Sequence, residues 1–229
     1  MNAASTRTRT RTRARAVTAA GLAVLLLAAG VVAATTPTAA EWEQPFVVHA
    51  AIGEQAQGRN IVATVRDVAI AERLVDARWR SDSGGGSDSD RARATASADD
   101  TAALRAGTPG STWVIVDASV AAVHTEVGAI LGRAALIVGE RTYVASNRPS
   151  VFTLTDAALS IEIPTRGTLV FELPGDLLAD PATASTARLE LAMHADPRLD
   201  SMLVIPIDLT KAALLDEVQL EDAQWGERR

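Results

Sequence analysis

Between Val17 and Ala34 the chain runs for 18 residues without a charge (VTAAGLAVLLLAAGVVAA), directly behind five arginines, Arg7, Arg9, Arg11, Arg13 and Arg15. At ~1.5 Å of rise per residue the run spans roughly 27 Å as a helix, close to the hydrocarbon thickness of a bilayer. A segment of this kind divides the chain into a part that seeks apolar cover and a part that folds by itself. Basic residues ahead of such a segment stay in the cytoplasm, so the C-terminal body is expected outside, with the lipid bilayer as partner of residues 17–36. Two outcomes stay open. The segment is retained as an anchor, or it is cleaved as a signal peptide at a small-residue site, for which Val32-Ala33-Ala34 and Pro37-Thr38-Ala39 qualify. No adjacent arginine pair occurs, which argues against twin-arginine export. Trp42, shortly after the segment, is expected at the membrane interface, where indole is favoured.

The rest of the 229 residues is acidic. Taking the five arginines from 22 basic residues leaves 17 against 28 acidic ones, a charge of −11. Nucleic-acid binding needs clustered cations on the folded part, so that partner is excluded. With no cysteine, disulfides, thiolate metal sites and a cysteine nucleophile are excluded too. A single lysine, Lys211, against 21 arginines points to a high-GC bacterial genome.

Past residue 43 the apolar residues alternate with a period of two, and turn residues separate the runs, as in strands. Phe46–Ile52 is the first. In Asn60–Val75 one face carries Ile61, Ala63 and Val65, and then Val68 and Ile70 take over, which predicts a bulge near Arg66-Asp67. Thr112–Val120 alternates most clearly. Val114, Val116, Ala118 and Val120 share one face, while Trp113, Ile115, Asp117 and Ser119 share the other, which is apolar at one end and polar at the other. Ala134–Val138 and Arg141–Ala145 flank Gly139-Glu140, a type II′ hairpin pattern. Ile161–Ile163, Thr168–Leu173, Ala187–Met193 and Met202–Leu209 follow. Pro206 demotes the last of these towards an edge or a bulge. Lys211–Asp216 reads as one helical turn, and Val218 and Leu220 as a terminal strand.

About seven to nine short strands with no βαβ spacing predict an all-β fold, an antiparallel β-sandwich. The expected organisation is a basic cytoplasmic stub at 1–16, a transmembrane anchor or signal segment at 17–36, a linker at 37–43, the sandwich at 44–222 with a flexible loop at 81–106, and a tail at 223–229.

No catalytic, cofactor or metal site is expected. His49, His124 and His194 lie far apart and lack the short spacing of zinc ligands. Asp82, Asp88 and Asp90 fit neither an EF-hand nor a glycine-rich calcium repeat. No G-x-S-x-G elbow marks a nucleophilic serine. The acids Asp117, Glu126, Asp156, Glu162, Glu172, Glu190 and Asp208 are scattered, and eight aromatics make a thin platform for a sugar. Trp113, Tyr143 and Phe171 sit in apolar strands and read as core.

Trp113-Val114-Ile115-Val116-Asp117, the hairpin with Arg141-Thr142-Tyr143, and Gly167-Thr168-Leu169-Val170-Phe171-Glu172-Leu173-Pro174 behind Ile163-Pro164 come in a recognisable order. In this the chain resembles an immunoglobulin-like extracytoplasmic domain of unknown function, found in membrane-anchored envelope proteins of high-GC Gram-positive bacteria. There a W-V-V-V-D strand precedes a G-R-x-Y hairpin and a G-x-L-V-F-x-x-P strand; here Glu140 replaces the glycine before Arg141. The likeness covers roughly residues 44–210. It implies an immunoglobulin-like sandwich on one N-terminal anchor and supplies no catalytic residue. The expected role is non-enzymatic: a membrane-tethered extracytoplasmic module that contacts an envelope or transporter protein. The alternative is a ligand-binding module for an ion, peptide or cell-wall fragment, which requires a concave pocket with a few convergent polar groups.

Overall fold

A computed structural model of the chain describes residues 5–36, 43–76, 108–124 and 128–226. The expected loop at 81–106, Trp42, the three aspartates Asp82, Asp88 and Asp90, and Glu126 lie outside the described residues. The chain divides into two compact units, Met1–Gln44 and Pro45–Arg229.

The first unit holds one helix, α1 (Ser5–Thr35), which begins within the arginine-threonine repeat. Where its side chains are described they are exposed all round; Leu22, Leu25 and Leu27 show 60%, 68% and 71% of their surface. Thr35 and Thr36 close its end, their hydroxyls donating to the carbonyls of Val31 and Val32 at 2.8 and 2.6 Å. Among the described residues no helix is long and apolar enough to cross a membrane.

The second unit is a β-sandwich. Its strands are β1 (Phe46–His49), β2 (Gln55–Gln57), β3 (Ile61–Asp76), β4 (Ser111–Ala122), β5 (Arg133–Val138), β6 (Arg141–Val144), β7 (Thr165–Pro174), β8 (Ala187–Ala192), β9 (Ser201–Ile207), β10 (Ala213–Leu220) and β11 (Gln224–Trp225). Two short helices, α2 (Gly175–Ala179) and α3 (Pro181–Ala184), join β7 to β8. One sheet runs β1-β9-β8-β5-β6 and the other β10-β3-β4-β7-β11, with β2 paired to β3. The even-numbered face of β4 packs between the sheets: Val114, Val116, Ala118 and Val120 are fully buried, together with Leu136, Leu169, Phe171 and Leu189. Each valine, leucine or phenylalanine of this set contributes roughly 1.5–3 kcal/mol by leaving water.

Local sequence rules explain much of this. The register of β3 on β4 slips between Val65 and Asp67, so Arg66 is the extra residue of the expected bulge. Gly139 sits at φ +59 in the hairpin between β5 and β6, and Glu140 is not among the residues of positive φ, which is the φ pattern of a type II′ turn.

Several expectations are corrected. The sandwich is only mostly antiparallel, because β1 pairs parallel to β9 and β10 parallel to β3. The first strand stops at His49 instead of Ile52, since Ala51 and Glu54 close a turn through the bonds Glu54 N to Ala51 O and Ala51 N to Glu54 Oε2. Ile161–Ile163 forms no strand: Glu162 turns left-handed at φ 60, and only Ile161 makes a bridge, to Ala122. Pro206 does not place β9 at an edge, as β9 lies between β1 and β8. β1 ends opposite Val204, however, so the proline occupies a stretch paired on one side only. The helical turn expected at Lys211–Asp216 shrinks to a 3-10 turn over Leu209–Lys211, and Ala213 onward joins the edge of β3, where ladder bonds override local helix preference. The sandwich also extends past residue 222, because Gln224 and Trp225 pair with Arg166 and Thr165.

Phe171→Ala should remove about 3–5 kcal/mol of stability, because it empties a fully buried site between the sheets. Val144→Ala, at a side chain 72% exposed, should change stability by less than about 0.5 kcal/mol. Urea titration followed by intrinsic fluorescence checks both.

Candidate functional site

The odd-numbered face of β4 points away from the sandwich core, and its two ends meet different fates. At the apolar end Trp113 and Ile115 are buried with Ala71, Leu74, Val151 and Val170 in a second hydrophobic cluster. The segment after β6 covers this end: Ser146 N donates to Val170 O at 2.7 Å, and the Arg148 guanidinium lies 5.7 Å from the Trp113 ring centroid. Arg148 also pairs with Glu172 at 2.6 Å. The Trp113 indole N–H, buried under this cover, has no hydrogen-bond partner among the described residues.

Glu172 holds the cover down. Burial pushes its carboxyl up, but the Thr108 amide, the Arg148 guanidinium and the Ser111 hydroxyl together outweigh burial and hold it at about 2, against an ordinary 4.5. Ser111 Oγ donates to Glu172 Oε1 at 2.8 Å.

The polar end of the same face is open. Arg66, projected by the bulge, meets Asp117 across the strand pair at 2.7 Å. Around this ion pair lie two adjoining cavities that share Arg66 and Arg166. The first, about 410 Å³, is lined by Gln55 and Gln57 of β2, Thr64 of β3, Ser119 of β4 and the rim residue Glu162. The second, about 670 Å³, is lined by Asp117, Thr168, Gln219, Glu221, Asp222 and Trp225. Both volumes lie in the range of ligand sites. Glu162, on the rim, holds the left-handed backbone noted above, a conformation that costs a non-glycine residue about 1–3 kcal/mol and gathers at functional surfaces.

One wall of the second cavity is the C-terminal segment, and Gly167 lets it approach. A Cβ at Gly167 would stand 2.8 Å from the Ala223 Cβ. Ala223 N donates to Phe152 O, and Gly226 N to Pro164 O, each at 2.6 Å. This wall carries Trp225, 70% exposed. The sequence reading missed it, because the pair Gln224-Trp225 is too short to show a period and lies in what reads as a tail.

The three histidines stay apart. His49 is exposed on β1, His124 is exposed after β4, and His194 places Nε2 3.6 Å from Asp200 Oδ2. Among the described residues no group of three His, Asp or Glu side chains is arranged to hold a metal ion. Of the singled-out acids, Asp117 and Glu162 reach the groove. Glu190 pairs with Arg133 at 2.6 Å and Asp208 with Lys211 at 2.8 Å. Asp156 caps the Thr153 amide at 3.0 Å. Trp113 and Phe171 are core residues, and Tyr143 is half-buried against the core.

No protein-family model matches the chain, and no curated protein aligns with it. Among solved structures it is similar to an uncharacterized β-sandwich protein of Clostridium difficile 630, over 75% of this chain and 99% of that one, with a TM-score of 0.43 and 10% sequence identity.

Since the folded-state value of Glu172 is depressed to about 2, its contribution to stability is fully present above pH 4.5 and is lost as pH falls through about 2. Glu172→Gln should flatten that limb of the stability curve and cost about 1 kcal/mol at neutral pH. Thermal melts between pH 7 and pH 2 measure both effects.

Proposed function

We propose that this chain is a non-enzymatic accessory module of the cell envelope, tethered to the membrane through residues 17–36 with its N-terminus cytoplasmic and its sandwich outside, and that it works by binding a ligand in the groove on the outer face of the β3-β4-β7 sheet. The observation that carries the binding role is the pair of cavities joined at Arg66 and Arg166, where polar side chains from six strand segments converge on one open half-face. Ligand sites are typically concave, largely pre-formed and furnished with a few convergent polar groups. Support for the tether comes from the arginine-flanked uncharged run and from the exposure of every described apolar side chain of α1, which leaves that surface in need of cover. The immunoglobulin-like envelope-domain resemblance is the family reading that accompanies this proposal.

A second reading, contact with an envelope or transporter protein, is favoured by β10. This strand lies at the sheet edge with Leu214 and Leu215 exposed at 78% and 43%. An open edge with apolar side chains is suited to strand addition by a partner.

Expressed whole in a bacterial host, the chain should pellet with membranes, resist alkaline extraction, begin at Asn2 or Ala3, and lose its sandwich to protease added outside spheroplasts. Recovery in the cytosol with an intact N-terminus would sink the tether, and a start near Thr35 or Ala40 would make the protein a secreted one. In detergent micelles, which take the place of the bilayer around residues 17–36, the double variant Arg166→Glu/Gln224→Ala should reduce retention on lipid-free, detergent-washed cell walls at least about fivefold. Unchanged retention would remove the groove from the function.

A further inference from the structure

We infer that the ligand of this groove is a neutral glycan chain, an inference that rests on the binding role just proposed. Three features of the groove select that class. The first is charge. Arg66 and Arg166 face four acids, Asp117, Glu162, Glu221 and Asp222, and Arg66 is already matched by Asp117. A polyanion would meet a surplus of carboxylates, so phosphate-rich or uronic polymers are disfavoured.

The second is the state of the polar groups. Gln55, Gln57, Gln219 and Gln224 line the two cavities, and none of these four amides makes a side-chain hydrogen bond to another described residue. Each amide offers a donor and an acceptor together, the complement of a hydroxyl, which also donates and accepts. The backbone of the groove floor offers nothing, because β4 is laddered on both sides by β3 and β7. An extended peptide draws its affinity from main-chain groups at a sheet edge, and a face of this kind denies it those. A glycan carries its hydrogen-bonding groups around the ring and needs only side chains.

The third is shape. From β2 across β3, β4 and β7 to β11 the groove crosses four strand spacings, about 19 Å at ~4.8 Å each, the length of an oligomer and not of one ring. At one end stands Gln224, whose pairing with Arg166 puts its amide on the groove face, while Trp225, paired with Thr165, turns to the opposite face of the sheet.

The test titrates the full chain in detergent micelles with two uncharged β-linked tetrasaccharides, chitotetraose and cellotetraose, using polyglutamate and polyphosphate as anionic controls. Binding is read by calorimetry and tryptophan emission. One tetrasaccharide should bind with a sub-millimolar Kd, tighter than its own disaccharide. Gln224→Ala should weaken it about threefold or more, and Trp225→Ala, on the opposite face, should leave it unchanged. Gln57→Ala and Gln219→Ala should each weaken it about threefold or more. The melting temperature of Gln224→Ala should match the parent, which separates a lost contact from lost folding. Absence of binding by both tetrasaccharides, equal binding by Gln224→Ala, or tighter binding of either polyanion overturns the glycan. If the tetrasaccharides fail while Arg166→Glu/Gln224→Ala still lowers retention on lipid-free cell walls, the ligand class is wrong and the binding role survives. If retention is also unchanged, both readings fall.

Discussion

Strand β4 is hydrogen-bonded along both edges and carries a different solvent on each part of its surface, and the rest of the sandwich is arranged around that. Its pairing with β3 and β7 runs over ten registered positions on each side. Its even-numbered valines and alanine are sealed between the sheets. Because successive side chains alternate faces, the same backbone must present Trp113, Ile115, Asp117 and Ser119 outward. Two large apolar groups and two polar ones on a single face cannot share one environment. The chain resolves this by laying a cover over the apolar half and leaving the polar half open.

The cover and the groove are therefore consequences of one alternation. Arg148 reaches over the Trp113 ring and is tied to Glu172, which the Thr108 amide and the Ser111 hydroxyl also hold. A charge-assisted set of this kind is stronger than neutral hydrogen bonds and suits a segment that would otherwise lift from a flat sheet. On the open half the bulge at Arg66 twists β3 and swings its guanidinium onto Asp117, so the ion pair sits where the two cavities adjoin. The floor of the groove is β4, laddered on both sides, with the C-terminal segment as one wall, which is how a binding surface keeps its shape without its ligand.

Much of this was legible in the residues. The period-two pattern of Thr112–Val120, the phase change at Arg66-Asp67 and the glycine at the turn between β5 and β6 are local signals, and each appears where its local physics requires it. The polar end of the β4 face was visible as Asp117 and Ser119. The residues that turn it into a groove were not. Gln55 and Gln57 come from a three-residue strand, Glu162 from a left-handed residue where a strand was expected, and Gln224 from a two-residue strand at the end of the described residues. None belongs to a run long enough to show a period.

What the sequence determined by itself is whatever depends on neighbours a few residues away: an uncharged run behind arginines, strands with a buried and an outward face, a bulge, a tight hairpin, and the absence of any cysteine chemistry. The tertiary structure decided which strands meet, because pairing partners such as β10 with β3, or β11 with β7, are chosen by ladder bonds and burial between segments more than 50 residues apart in the numbering. It also decided which half of the outer face stays open. That depends on where the segment after β6 and the C-terminal segment come to rest, and such a choice is made only when the whole sheet exists to receive them.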